Sequence, residues 1–161
     1  MSKAFTSEDH PAHDVLPRPR PRLAPGEKRY VTPEGHRALQ QALDRLLDER
    51  SRAAQERLAE LEEHAAALAA TLAELTVVAP DPAQAGRAFF GAWVTLEDED
   101  GGRARYRIVG PDEADAKAGL ISVDAPLARA LLGKSAGDEA VVERPRGATG
   151  YTVISVEYPG P

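Results

Sequence analysis

Cysteine is absent from the 161 residues, which excludes disulfide frameworks, thiolate metal sites and cysteine nucleophiles. Histidine is scarce, and two of the four, His10 and His13, fall in a stretch with no expected structure. Metalloenzyme readings are therefore poor, and neither a metal nor another cofactor is expected. No apolar run approaches the ~20 residues that a membrane span needs, and no hydrophobic core of a signal peptide opens the chain. A cytoplasmic protein without membrane contact is expected. Excess positive charge is lacking as well: 20 Lys and Arg face 26 Asp and Glu, a net charge of −6. Such a chain is not built to wrap duplex DNA, which takes clustered cations on the phosphates. With 42% hydrophobic residues, what remains is a globular composition long enough for one ordinary domain or two small ones.

Charge is unevenly spread. Residues 1–31 hold six Lys/Arg against four Asp/Glu, residues 32–76 five against nine, and residues 77–161 nine against thirteen. Only the first segment is basic. There Pro17, Pro19, Pro21 and Pro25 alternate with Arg18, Arg20 and Arg22, a pattern that blocks helix and sheet pairing and favours extended chain. Few apolar side chains offset the entropy of ordering. Residues 1–31 are expected to be a disordered tail, with 1–28 dispensable.

A helix start follows at Thr32-Pro33-Glu34, a hydroxyl cap, a proline at the first helical position and an acid in the first turn. After Gly35 neither Gly nor Pro occurs before Val78. Leu39, Leu43 and Leu46 form one apolar seam, and Leu58, Leu61, Ala65, Leu68, Leu72 and Leu75 form a second at heptad-type spacing. The twelve residues from Leu46 to Leu58 put the two seams out of phase. A break near Ser51 lets the halves fold back on each other, so an antiparallel helical hairpin is expected over 32–78. One unbroken helix would leave its leucines unburied without a second chain.

Residues 79–161 read as strands with one short helix. Phe90–Leu96 alternates and is joined to Arg105–Val109 through Glu97-Asp98-Glu99-Asp100-Gly101-Gly102, a charged hairpin turn rather than a calcium loop. Phe89, Phe90 and Trp93 are expected in the core. Leu120–Val123 is a third strand, and Asp124-Ala125-Pro126 caps a helix over Leu127–Leu132 that Gly133 stops. Glu139–Val142 and Tyr151–Tyr158 complete an antiparallel sheet. The fold class is α+β: an amino-terminal antiparallel helical hairpin, then the sheet with one covering helix.

Three runs carry a family resemblance: Phe89–Val94, Tyr106–Asp115 (with Val109-Gly110-Pro111-Asp112-Glu113 inside it) and Ile121–Lys134. They resemble the carboxy-terminal domain of the Gre family of bacterial transcript-cleavage and elongation factors, closer to GreB than to GreA. The match extends from about Leu58 to Tyr158, and Val31–Gly35 is similar to the family's amino-terminal helix start. The resemblance implies an FKBP-like carboxy-terminal domain at the rim of the secondary channel of RNA polymerase. It implies a coiled coil reaching down that channel, and docking through Ser122, Asp124, Ala125 and Pro126. In cleaving members a tip loop Gly-Asp-x-x-Glu-Asn-Ala-x-Tyr brings two carboxylates to the active-site magnesium, where a metal ion activates water. That pattern is absent here. The hairpin is also shorter by roughly ten residues per arm, about 15 Å of reach.

The acids nearest the tip are Asp48, Glu49 and Glu56, with Arg45, Arg50, Arg52 and Arg57 beside them. The acids are candidate stand-ins for the missing pair or ordinary solvated charges in the i,i+4 pairs Arg45–Glu49, Asp48–Arg52 and Arg52–Glu56. The arginines are candidates to face polymerase carboxylates or, indirectly, RNA of the elongation complex. The resulting expectation is a monomeric, non-catalytic regulator of RNA polymerase at the secondary channel, with no catalytic residue of its own and no stimulation of transcript cleavage. A cleavage-stimulating factor is the alternative within the class. Outside it stand an FKBP-like prolyl isomerase, which fold alone does not license, and a homodimer through the leucine seam.

Overall fold

A computed structural model describes residues 26–159. The element order is β1 (Arg29–Val31), α1 (Pro33–Arg52), α2 (Gln55–Glu74), β2 (Leu75–Val77), β3 (Trp93–Asp98), β4 (Arg103–Val109), β5 (Leu120–Ser122), α3 (Pro126–Leu131), β6 (Glu139–Arg144) and β7 (Gly147–Glu157). The expected α+β class holds: a helical hairpin is followed by a mostly antiparallel sheet with one short helix.

The hairpin forms because each seam has only the other to bury against. Leu39, Leu46, Leu61, Ala65 and Leu68 are buried together, with Leu43, Leu72 and Leu75 packed around them. The helices break at Ala53 and Ala54, whose backbones are extended (ψ 146° and 150°). Ser51, the expected break, is still helical and donates its hydroxyl to the Asp48 carbonyl at 2.6 Å. Neither alanine is a helix breaker, so the position of the turn follows from bringing the seams face to face.

At the base of the hairpin, β1 and β2 pair in parallel, Arg29 with Leu75 and Val31 with Val77. This corrects the expected extent of the tail and of the second helix. Arg29–Val31 is ordered strand, because Val31 is fully buried and Arg29 reaches Glu74 at 2.9 Å. Leu75 keeps its place in the seam from a strand rather than a helix. Residues 1–25 of the expected tail lie outside the described residues.

The second sheet has the order β5-β4-β3-β7-β6. Its pairs are antiparallel except β4 with β5, where Arg107 lies beside Leu120 and Val109 beside Ser122. The expected all-antiparallel sheet is therefore mixed, since the chain over 110–119 loops back and re-enters in the direction of β4. Alternation along β3 sends Val94 and Leu96 into a core shared with Ala88, Ala92, Ile108, Ala128, Leu131 and Val153. Trp93 takes the opposite face of β3, half-buried beneath the Arg105 guanidinium at 4.4 Å. Phe89 and Phe90 are half-buried too, Phe90 edge-on to Tyr30. These three aromatics are thus not the core expected of them; smaller residues fill it. Asp98 staples the charged β3–β4 turn by accepting from Gly102 N at 2.8 Å and Asp100 N at 3.0 Å.

Candidate functional site

Two surfaces hold the residues singled out from the sequence, and a polar joint connects the parts that carry them. The first surface is the turn between β5 and α3. Ser122 accepts from Asp124 N at 3.2 Å through its hydroxyl, and its carbonyl accepts from Ala125 N at 2.9 Å. Asp124 and Pro126 are exposed, while Ala125 is half-buried against the core. The expected cap by Asp124 is corrected: the N-cap of α3 is Ala125, without a side-chain bond. Pro126 already removes one orphan donor from the first turn. The Asp124 carboxylate therefore stays exposed on a turn that its neighbours hold in shape.

The second surface is the hairpin tip. Asp48 pairs with Arg52 at 2.9 Å, as the i,i+4 spacing predicts. Glu49 turns across the hairpin to Arg57 at 3.3 Å instead of along its helix to Arg45. The expected Arg52–Glu56 pair is absent because the chain turns between those residues, at Ala53 and Ala54. Two of the three candidate acids are thus paired with arginines, one along α1 and one across the hairpin, and Glu56 sits in the first turn of α2. Exposed pairs of this kind are worth at most about 1 kcal/mol, so pairing alone does not disarm them. Geometry does more: the connection itself carries two methyl side chains and no acid. Asp48 and Glu49 thus lie on the last turns of α1 and Glu56 on the first turn of α2, with none of the three in the connection itself.

The joint went unread in the sequence except for the cap at Thr32. That cap is present, Thr32 Oγ1 accepting from Gly35 N at 3.1 Å. Around it, Glu113 accepts from Thr32 N at 2.6 Å, from the Thr32 hydroxyl, and from Gly110 N at 3.1 Å. The buried Arg107 donates to the Gly91 carbonyl at 3.0 Å and to Glu34 at 3.2 Å. Arg29 reaches Glu74 at 2.9 Å and Asp112 at 3.6 Å. Burial pushes the Glu34 carboxyl up, but its own backbone hydrogen bond and the Arg107 cation outweigh that and hold it below its ordinary value. Gly110-Pro111-Asp112-Glu113 was visible as a motif, yet nothing local in it tells that its partner lies 81 residues earlier.

Beside the joint a cavity of about 510 Å³ is lined by Pro33, Glu34, Pro80, Pro82 and Tyr158 among others. The Tyr158 hydroxyl donates to the Arg87 carbonyl at 2.6 Å and accepts from Phe89 N at 3.1 Å. Burial raises its pKa, the Phe89 N–H lowers it and the Asp81 charge raises it further, with a net upward shift. A single aromatic in a proline-lined cavity is not the ring of aromatics that the isomerase reading requires. No helix of the described residues is long and apolar enough to cross a membrane.

Comparison with known proteins bears on the same parts. The family described as "Transcription elongation factor, GreA/GreB, C-term" matches residues 83–158. Transcription elongation factor GreB of Pseudomonas aeruginosa is 51% identical over 102 residues, 63% of this chain and 61% of that protein. The chain thus spans about three fifths of that relative's length. GreB of Pseudomonas putida is 38% identical over 150 residues, 80% of this chain and 93% of that protein. Among solved structures, a GreA/GreB elongation factor from Nitrosomonas europaea superposes with a TM-score of 0.42 at 26% identity, covering 81% of this chain and all of that one.

These relationships correct the expectation of a non-catalytic regulator. The matched family and relatives are named transcription elongation factors GreA and GreB, and the resemblance carried by the sequence ties that family to transcript cleavage by the polymerase itself. A role set apart from catalysis is therefore not what this kinship supports, although it assigns no catalytic centre within the chain.

Proposed function

The chain belongs to the GreA/GreB family, and from that premise we propose that it is an elongation factor which docks on RNA polymerase at the rim of the secondary channel and inserts its hairpin there. The docking surface is Ser122, Asp124, Ala125 and Pro126, supported by the exposure of Asp124 on a turn held by Ser122. The protein acts in the cytoplasm and as a monomer, the latter supported by the burial of Leu39, Leu46, Leu61, Ala65 and Leu68 within one hairpin.

The observation that carries the finer reading is the tip. Each arm has 20 residues, about 30 Å at ~1.5 Å per residue, and ends in a connection without acids. A short hairpin of this kind occupies the channel and competes with longer relatives, while inducing little cleavage of backtracked RNA by the polymerase. Arg45 and Arg50, which α1 carries near the tip, face the polymerase or its RNA in that setting.

The test is RNA shortening in stalled elongation complexes at saturating magnesium, with and without the protein. Cleavage close to that of polymerase alone, together with inhibition of cleavage by a long-armed relative, is the expected result. Robust new products that vanish when Asp48, Glu49 and Glu56 are changed to Ala would overturn the reading and establish the cleavage-stimulating alternative.

A further inference from the structure

The amino-terminal end of α1 is closed by a carboxylate from the other domain. The Thr32 hydroxyl accepts from Gly35 N at 3.1 Å and donates its one proton to Glu113. Glu113 Oε2 also accepts from Thr32 N at 2.6 Å and from Gly110 N at 3.1 Å. One carboxylate therefore bonds two backbone N–H groups, one from the start of the hairpin and one from the β4–β5 connection. Arg29 and Arg107 cross the same joint through buried side chains, Arg29 to Glu74 and Asp112 and Arg107 to Glu34, whereas Glu113 bonds the backbone on both sides.

Two glycines make room for this contact. A Cβ on Gly35 would stand 2.1 Å from Glu113 Oε1, and a Cβ on Gly110 would stand 2.0 Å from the Tyr30 carbonyl oxygen. Gly35 lies inside the first turn of α1, where alanine is the better helix former. Its presence is explained by the space the carboxylate occupies.

We propose that Glu113 is a positioning residue that sets the heading of the hairpin relative to the carboxy-terminal domain. The lever is long: with α1 about 30 Å in length, a tilt of ~20° at the joint carries the tip ~10 Å. Whatever partner holds the carboxy-terminal domain and meets the tip depends on that heading. The inference stands apart from the polymerase reading, since it concerns the free protein.

The absence of cysteine allows two spin labels to be placed cleanly, through Arg50→Cys near the tip and Val141→Cys on the exposed face of β6. Pulsed electron–electron distance measurement then reports the heading directly. The parent protein is expected to give one narrow distribution. Gly35→Ala places a methyl where the carboxylate sits while favouring the helix itself. It is expected to keep the helical ellipticity and to broaden the distribution about twofold, the reach of a ~10 Å swing. Glu113→Ala is expected to broaden it equally, and adding Gly35→Ala to that variant is expected to add nothing, because the methyl then displaces no carboxylate. An unchanged, narrow distribution in Gly35→Ala would overturn the proposal, as would additive broadening in the double variant. Should Glu113→Ala fail to fold, Gly35→Ala against the parent decides alone. Polymerase is absent from the measurement, so a failure of the docking reading leaves this result intact.

Discussion

Glu34 shows how a single group responds to the joint around it. Its carboxyl is held below the ordinary 4.5, so the folded state binds its proton less readily than the unfolded chain does. The stability it contributes is fully present above about pH 4.5 and is lost as the pH falls through the lower folded value. The Glu34 side chain is 41% exposed, so solvent screens its pair with Arg107 and the effect is small. Acid titration of the melting temperature is expected to show a decline beginning below pH 4.5 that Glu34→Gln makes shallower. Gly110 is a harder case, since the atom a Cβ would strike belongs to backbone and cannot rotate aside. Gly110→Ala is expected to cost about 1–3 kcal/mol, measured by denaturant unfolding. Asp124→Arg reverses a charge whose side chain caps nothing. It is expected to abolish retention on core RNA polymerase with an unchanged circular dichroism spectrum; unaltered retention would sink the docking surface.

Among the elements, the hairpin is the one whose stability rests on the fewest side chains. Leu61 and Leu68 of α2 are each 4% exposed and face Leu39 and Leu46 of α1 across a single layer. Removing one leaves a cavity that a two-helix layer closes poorly, so Leu68→Ala is expected to cost about 2–5 kcal/mol. Ellipticity at the helical minimum should fall at lower denaturant than tyrosine and tryptophan signals from the sheet. Coincident transitions would show instead that hairpin and sheet unfold as one unit. The sheet is better insured, because nine buried residues from β3, β4, α3, β6, β7 and the segment before β3 share its core.

For the whole molecule, the boundary between tail and fold is the testable feature. Removing residues 1–28 is expected to leave the melting temperature unchanged, since alternating Pro and Arg offer no seam or strand pattern. Removing 1–31 takes away β1, with the buried Val31 and the Arg29 pairs to Glu74 and Asp112, and is expected to lower it by several degrees. Equal effects of the two deletions would mean that β1 contributes nothing to the joint between hairpin and sheet.

The periodic parts of this chain were legible before any coordinates. Leucine spacing over 39–72 reports helices because every third or fourth side chain shares a face, and alternation in Val94–Leu96 reports a strand because every second one does. The out-of-phase seams favoured a fold-back over one unbroken helix, and the motifs from Phe89 to Lys134 carried the family. What local pattern did not encode was everything that depends on a distant partner. Ala53-Ala54 is an ordinary helical dipeptide until two seams must meet; Leu120–Ser122 reads the same whether it runs with or against β4. Asp124 before Pro126 is a capping pattern that the folded turn leaves unused. Glu113 is one acid among twenty-six until the chain folds and sets it against Thr32 and Gly110. Helix and strand periods arise from bonds between near neighbours, so they are written in the residues themselves. The joint that aims the hairpin arises from groups 81 residues apart, and only their packing brings them within hydrogen-bonding distance.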